Sequence, residues 1–198
     1  MVPLSLVTEY THGRTCFVSL SRNTFQSMRE GATEPLPLRL EWTDVVDGES
    51  RQQAVFVGWA GSTLGTVGRK IGVPMQLATC LDIKEGVMVR VTPLPGIPPS
   101  RMVRVEPESP NDWEILELNA EYVESKLLGQ ISVLSDGRKF PFWIRNNLIY
   151  LRSAPSPSDG GGGEGFARVA DRSEIAVAPK LRAGRKKTSS SSSSSSSS

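Results

Sequence analysis

The sequence has one histidine and two cysteines in 198 residues, and this scarcity excludes several kinds of site. No serine or cysteine nucleophile is placed to pair with His12, so the sequence does not indicate a catalytic role for it. Cys16 and Cys80 are far apart, with no second cysteine near either, which excludes a CxxC redox pair and a zinc site built on cysteines. We expect both thiols to be buried, in a protein of a reducing compartment.

Long apolar runs are also missing. Nowhere do 18 apolar residues follow one another, so the sequence does not indicate a membrane-spanning helix. The N-terminus lacks the positive region and the sustained apolar run of a secretory signal. These absences predict a cytosolic protein, or one that a partner holds at a membrane.

The sequence has little excess charge of either sign. Its formal net charge is +2, but residues 155–198 hold seven Lys/Arg against four Asp/Glu, which leaves 16 basic and 17 acidic residues in the first 154. A nucleic-acid-binding domain more often carries its basic excess on the folded body. We therefore expect no nucleic-acid partner.

No phosphate-binding loop is present. Residues 58–72 hold five glycines, but that motif needs glycine, four residues, glycine, lysine and then serine or threonine. Lys70 instead follows Arg69 and precedes Ile71. We interpret these glycines as turns, and we expect no cofactor in this chain.

Short strands separated by glycine turns make up the first half of the chain. Apolar alternation predicts strands at residues 16–20, 36–42, 54–59 and 87–91, with short helices at 23–28 and 76–81. This pattern is typical of a small barrel, so we expect a mostly β, α+β protein. The barrel lobe would span residues 14–93, after a flexible N-terminus at residues 1–13.

A proline-rich connector at residues 94–100 leads to a predicted second, α/β lobe at residues 101–154. Its helix begins with Ser109 as the N-cap and Pro110 in the first turn, and we expect it to end at Gly129. The apolar stripe predicts a buried face, with Trp143 as a further anchor on a later strand. The predicted structural anchors are Trp113, Leu116, Val123, Leu127 and Trp143.

Four glutamates of this helix, at positions 114, 117, 121 and 124, fall mostly on its other side. They could hold a metal in principle, but no histidine accompanies them, so we interpret them as a solvated face. After the helix we expect a hairpin, with strands at residues 130–134 and 140–144 around the Asp136-Gly137 turn.

Several basic residues lie near the connector and around this hairpin. On one shared face they would suit an acidic partner segment or anionic lipid headgroups. An ordinary solvated surface is the alternative. The candidate partner-binding residues are Arg101, Arg104, Arg138, Lys139 and Arg145.

The composition changes at Pro155. Residues 155–173 form a Gly/Ser/Pro-rich insertion. In the segment that follows, Ile175 and Val177 alternate with alanine, so residues 174–182 are expected to add an edge strand to the second lobe. Residues 183–198 are basic and then all but entirely serine, and we expect them to be disordered. We expect the chain to be cut off inside a linker.

The segment EPESPNDWEILELNAEYVESKLLGQISVL, followed by KFPFWI, resembles the second lobe of the N-terminal domain of the peroxin-one family of peroxisome biogenesis AAA ATPases. The late EIAVAPKLR resembles the strand that closes that domain, and the first lobe fits more loosely. The resemblance covers about residues 14–182.

The resemblance implies a double-psi β-barrel followed by a smaller α/β lobe, as in valosin-containing protein and the N-ethylmaleimide-sensitive fusion protein. It implies docking of an adaptor or a ubiquitinated import receptor in the cleft between the lobes, with walls from residues 93–99 and the flanking strands. It further implies cooperation with peroxin six at the cytosolic face of the peroxisomal membrane. ATP and Mg²⁺ would belong to the full-length family protein, since this sequence has no Walker motif. A module binding anionic lipid is the alternative function.

Overall fold

The structure, a computed structural model, describes residues 3–29, 35–65, 68–154 and 165–180. These residues form two lobes that are mostly β-sheet. The strands are β1 (Leu4–Thr11), β2 (Phe17–Ser21), β3 (Leu36–Val46), β4 (Glu49–Leu64), β5 (Lys70–Pro74), β6 (Met88–Pro93), β7 (Met102–Pro107), β8 (Val133–Ser135), β9 (Lys139–Ile144), β10 (Asn147–Ser153), β11 (Phe166–Arg168) and β12 (Glu174–Val177). The helices are α1 (Arg22–Arg29), α2 (Met75–Leu81), α3 (Pro110–Glu117) and α4 (Ala120–Lys126).

The six strands of the first lobe close into a barrel in the order β1-β5-β2-β4-β3-β6. β1 is parallel to β5 and β2 is parallel to β4, whereas β3 is antiparallel to both β4 and β6. The expectation of a flexible N-terminus at residues 1–13 is wrong for β1, which joins β5 to β6. Leu6 and Thr8 of this strand are buried, and the Thr8 hydroxyl donates to the Lys84 carbonyl at 2.7 Å.

The β3–β4 hairpin follows from its local sequence. Leu36, Leu38 and Leu40 are completely buried, as their period of two predicts. Asp47 and Gly48 both have positive φ, the requirement of the tight turn that connects the strands.

The second lobe holds a four-stranded sheet in the order β12-β7-β10-β9 and a two-stranded sheet of β8 and β11. The predicted edge strand is confirmed, since β12 pairs in parallel with β7. The predicted hairpin is wrong, because β8 pairs with β11 whereas β9 pairs with β10. Residues 155–173, expected to be an insertion, contribute β11; residues 155–164 and 181–198 lie outside the described residues.

The single predicted helix is divided into α3 and α4. The N-cap is confirmed, because the Ser109 hydroxyl accepts from the Asp112 amide at 3.1 Å. The break comes at Leu118, which is 84% exposed, and at Asn119, whose amide side chain donates back to the Ile115 carbonyl at 2.7 Å. That bond caps the end of α3, and α4 then ends at Lys126, before Gly129.

One hydrophobic core runs through both lobes. Leu116, Val123 and Leu127 belong to it as predicted, and Trp143 is buried, while Trp113 is half-buried against its edge. No helix among the described residues is long and apolar enough to cross a membrane.

Candidate functional site

The two lobes meet in a packed junction. The Ser135 hydroxyl of β8 bonds to the Phe56 backbone of β4, accepting from its amide at 2.7 Å and donating to its carbonyl at 2.9 Å. The Phe56 and Phe166 rings stack with centroids 4.4 Å apart. A cavity between the lobes, lined in part by Phe56 and Ser135, measures about 10 Å³, the space of a single water molecule at most. This part of the junction is therefore packed, and a docking cleft elsewhere between the lobes stays a prediction.

The connector was expected to form walls of that cleft, but it is bonded to both lobes. The Leu94 amide donates to the Pro37 carbonyl at 2.9 Å, on the barrel side. At the other end the Ser100 amide donates to the Arg168 carbonyl at 2.8 Å, and the Arg168 guanidinium donates to the Ile97 carbonyl. These bonds fix the connector as a strap between the lobes.

Both cysteines are free and buried, as predicted. The Cys16 thiol donates to the Pro141 carbonyl at 3.2 Å, and its burial raises its pKa. Burial also raises the pKa of Cys80 to about 11 and raises the pKa of Tyr150. Both thiols are therefore protonated at neutral pH.

The five candidate basic residues lie in several parts of the second lobe. Arg138 and Lys139 lie at the start of β9, where Arg138 is 3.6 Å from Asp82 and Lys139 lies over the Tyr150 ring. Arg145 follows the other end of this six-residue strand, which places it about 20 Å away. Arg101 and Arg104 are exposed near the start of β7. Arg152 of β10 pairs with both Glu106 of β7 and Lys139 of β9, so Arg104 and Lys139 project from the same face of the sheet. A binding surface made of all five residues stays a prediction.

An apolar groove of about 440 Å³ lies inside the second lobe, between α4 and β12. We call it the second-lobe groove. Its floor is formed by side chains from the sheet and the helices, and its outer wall by β12. The lining residues are Val105, Leu116, Ala120, Val123, Glu124, Leu127, Leu128, Leu151, Val169, Ala170, Asp171, Ser173, Glu174, Ile175 and Val177.

The groove exists because the helical layer stops short of the edge strand. On β7, the inward-facing Val103 and Val105 are no more than 3% exposed. Their partners on β12, Ile175 and Val177, point to the same face of the sheet but are only half-buried. Apolar area at this edge of the sheet is thus left partly uncovered by the described residues.

The charges at the groove are all negative. Glu124, Asp171 and Glu174 line it and are exposed, and no lysine, arginine or histidine is among its described lining residues. His12 is exposed in the loop after β1, outside this site. No group of three metal-ligating side chains occurs in the described parts of the chain. The groove thus combines an apolar lining with an acidic rim among the described residues.

Sequence reasoning found only part of this site. Leu116, Val123 and Leu127 were predicted as core anchors, and they also form the groove floor. Ile175 and Val177 stood out through their alternation. Asp171, which closes the rim, has no local signal, because the groove joins segments far apart in the sequence.

Comparison with known proteins places this site within a recognised sequence family. Residues 101–179 match the family model described as Peroxisome biogenesis factor 1, N-terminal. Peroxisomal ATPase PEX1 of Dictyostelium discoideum is 30% identical over 191 residues, which cover 90% of this chain and 15% of that relative. Its human counterpart is 25% identical over 185 residues, covering 90% of this chain and 13% of the relative. The chain thus spans about a seventh of the length of these relatives.

Proposed function

Residues 101–179 belong to the N-terminal domain family of peroxisome biogenesis factor 1, and on that premise we propose that the chain is a non-catalytic docking domain of a peroxisomal ATPase. It would recognise a protein partner and leave ATP hydrolysis to the rest of a longer protein. ATP and Mg²⁺ would bind there, since the sequence of this chain contains no P-loop.

The second-lobe groove is the observation that carries the proposal. All of its lining residues lie within residues 101–179, the stretch that the family model matches. An open apolar groove with a polar rim is a common form of protein-binding site. We propose the second-lobe groove, rather than a cleft between the lobes, as the docking surface.

The partner that we propose is an adaptor or a ubiquitinated import receptor. In the longer protein, docking would deliver the receptor to an ATPase that works with peroxin six to extract receptors from the peroxisomal membrane. The domain would then act at the cytosolic face of that membrane.

We also propose that the barrel is of the double-psi type. The closed six-stranded arrangement with two parallel pairs, β1 with β5 and β2 with β4, supports this topology. In this arrangement the barrel acts as a rigid base for the second lobe.

A binding assay with paired variants tests the docking proposal. Val177→Arg places a charged side chain in the groove, whereas Ala178→Arg adds the same charge at the next, exposed position outside it. We expect Val177→Arg to weaken binding of a purified ubiquitinated receptor or adaptor at least about tenfold, because it buries a charge in an apolar contact. Ala178→Arg should bind like the unmodified chain.

Circular dichroism and a melting curve of each variant serve as folding controls. If a purified partner binds both variants as tightly as the unmodified chain, the groove is not the docking surface. If no adaptor or receptor binds the unmodified chain, the docking function itself is wrong.

A further inference from the structure

The chemistry of the second-lobe groove indicates what kind of segment it binds. Its floor holds large aliphatic side chains, among them Leu116, Val123 and Leu151, so the ligand must bring apolar side chains. A volume of about 440 Å³ is that of several such side chains and is too large for a single one.

The position of the groove favours a helix as the ligand. α3 packs on β7 and β10, α4 packs against α3, and Ile175 and Val177 of β12 stay half-buried among the described residues. A further helix beside α4 would cover Ile175 and Val177 and complete the two-layer arrangement. Apolar residues on one face of such a helix would enter the groove at the spacing of its turns.

The rim determines the charge of the ligand. Glu124, Asp171 and Glu174 contribute three negative charges on different sides of the groove, with no cation among the described lining residues. Lysine or arginine side chains that flank the apolar face would reach these carboxylates, while acidic ones would be repelled.

We propose that the second-lobe groove binds an amphipathic helix whose apolar face is flanked by lysine or arginine. The inference rests on the proposed docking function and assigns the chemical class of the docked segment. Charge complementarity selects a basic segment over an acidic one, and the apolar floor provides most of the contact.

Two synthetic peptides of about four helical turns test this proposal. One combines leucine on one face with lysine on the other, and the second has glutamate in place of each lysine. We expect the lysine peptide to shift the amide NMR signals of Ile175 and Val177, and the glutamate peptide to bind at least about tenfold more weakly. Binding of the lysine peptide should weaken as salt is raised, because exposed charges are screened.

A matched set of charge variants distinguishes the effect of the rim carboxylates on peptide binding from the effect of the chain's overall charge. The variant Glu124→Gln, Asp171→Asn, Glu174→Gln should bind the lysine peptide about tenfold more weakly. The control Glu106→Gln, Glu117→Gln, Glu121→Gln removes three exposed carboxylates that do not line the groove, and it should bind normally.

Four outcomes overturn the inference. The first is equal binding of both peptides at the groove, which leaves the docking function standing while refuting its basic specificity. The second is NMR shifts confined to residues outside the groove. The third is a difference between the NMR signals of the groove residues in the full chain and in a chain that ends at residue 180. That difference would show that the chain's own C-terminal segment occupies the groove. The fourth is a dimer in solution that the Val177→Arg substitution dissociates. That result would show that a second copy of the chain occupies the groove.

Discussion

Gly58 lies on β4, next to Ser132 of the second lobe. A Cβ at this position would overlap the Ser132 hydroxyl oxygen of the second lobe and would lie 3.3 Å from the Phe17 ring. Gly58→Ala should therefore lower the free energy of unfolding by about 1–3 kcal/mol, the usual cost of overpacking. Chemical denaturation of the purified chain measures this loss.

Ser132 provides the control for that substitution. Its hydroxyl is buried and makes no hydrogen bond to another described residue, so Ser132→Ala alone should change stability little. The double variant Gly58→Ala, Ser132→Ala should recover most of the loss, because the overlapping oxygen is gone. A double variant no more stable than Gly58→Ala would place the strain elsewhere, for example at Phe17.

Cys80 links stability to alkaline pH. Burial raises its pKa from 9.0 to about 11 in the folded protein. The thiol therefore favours the folded state below pH 9, and this contribution is lost as pH rises from 9 through 11, since the unfolded chain loses its proton first. Denaturation midpoints measured from pH 7 to 10.5 should fall more steeply for the native chain than for Cys80→Ala. If the midpoint falls equally with pH in the native chain and in Cys80→Ala, the Cys80 thiol is not buried.

At the scale of single elements, local sequence predicts structure where one segment determines it. Ser109 caps α3, and Asp47-Gly48 turns the β3–β4 hairpin, because turn and cap geometry depend on a few adjacent residues. The alternation around Ile175 likewise predicted β12. Each of these elements could be inferred without knowing its neighbours in space.

Elements that depend on distant partners could not be predicted in this way. β1 pairs with β5 and β6, more than 60 residues away, so its assignment to a flexible N-terminus overlooked a long-range ladder. β8 has a hairpin signal at Asp136-Gly137 but pairs with β11. Here the Ser135 bonds to Phe56 and the Phe166 stack on the barrel favour the distant partner.

The second-lobe groove illustrates the same limit at a functional site. The apolar stripe of α3 and α4 predicted a buried face, which was correct for Leu116 and Val123. It did not predict that β12 would extend beyond that face and leave Ile175 half-covered. An open site of this kind arises from a mismatch between layers, and it leaves no local pattern.

At the scale of the whole molecule, the two lobes share one core and should unfold together. The barrel contains Trp42 and Trp59, and the second lobe contains Trp113 and Trp143. One variant keeps only the barrel tryptophans and another keeps only those of the second lobe, with phenylalanine at the other two positions of each. The denaturation curves of these two variants should coincide. Separate transitions would show that the second lobe is an independent unit despite the bonds across the junction.

The central claim is that this chain docks a protein partner through its second lobe. A photo-crosslinking amino acid placed at Val177, in the groove, tests it most directly, with the same group at Met88 as a control. Met88 is 66% exposed and lies on the barrel. With a purified ubiquitinated import receptor or adaptor, we predict crosslinks from position 177 and none above background from position 88. Crosslinks from position 88 alone, or equally from both, would contradict the account.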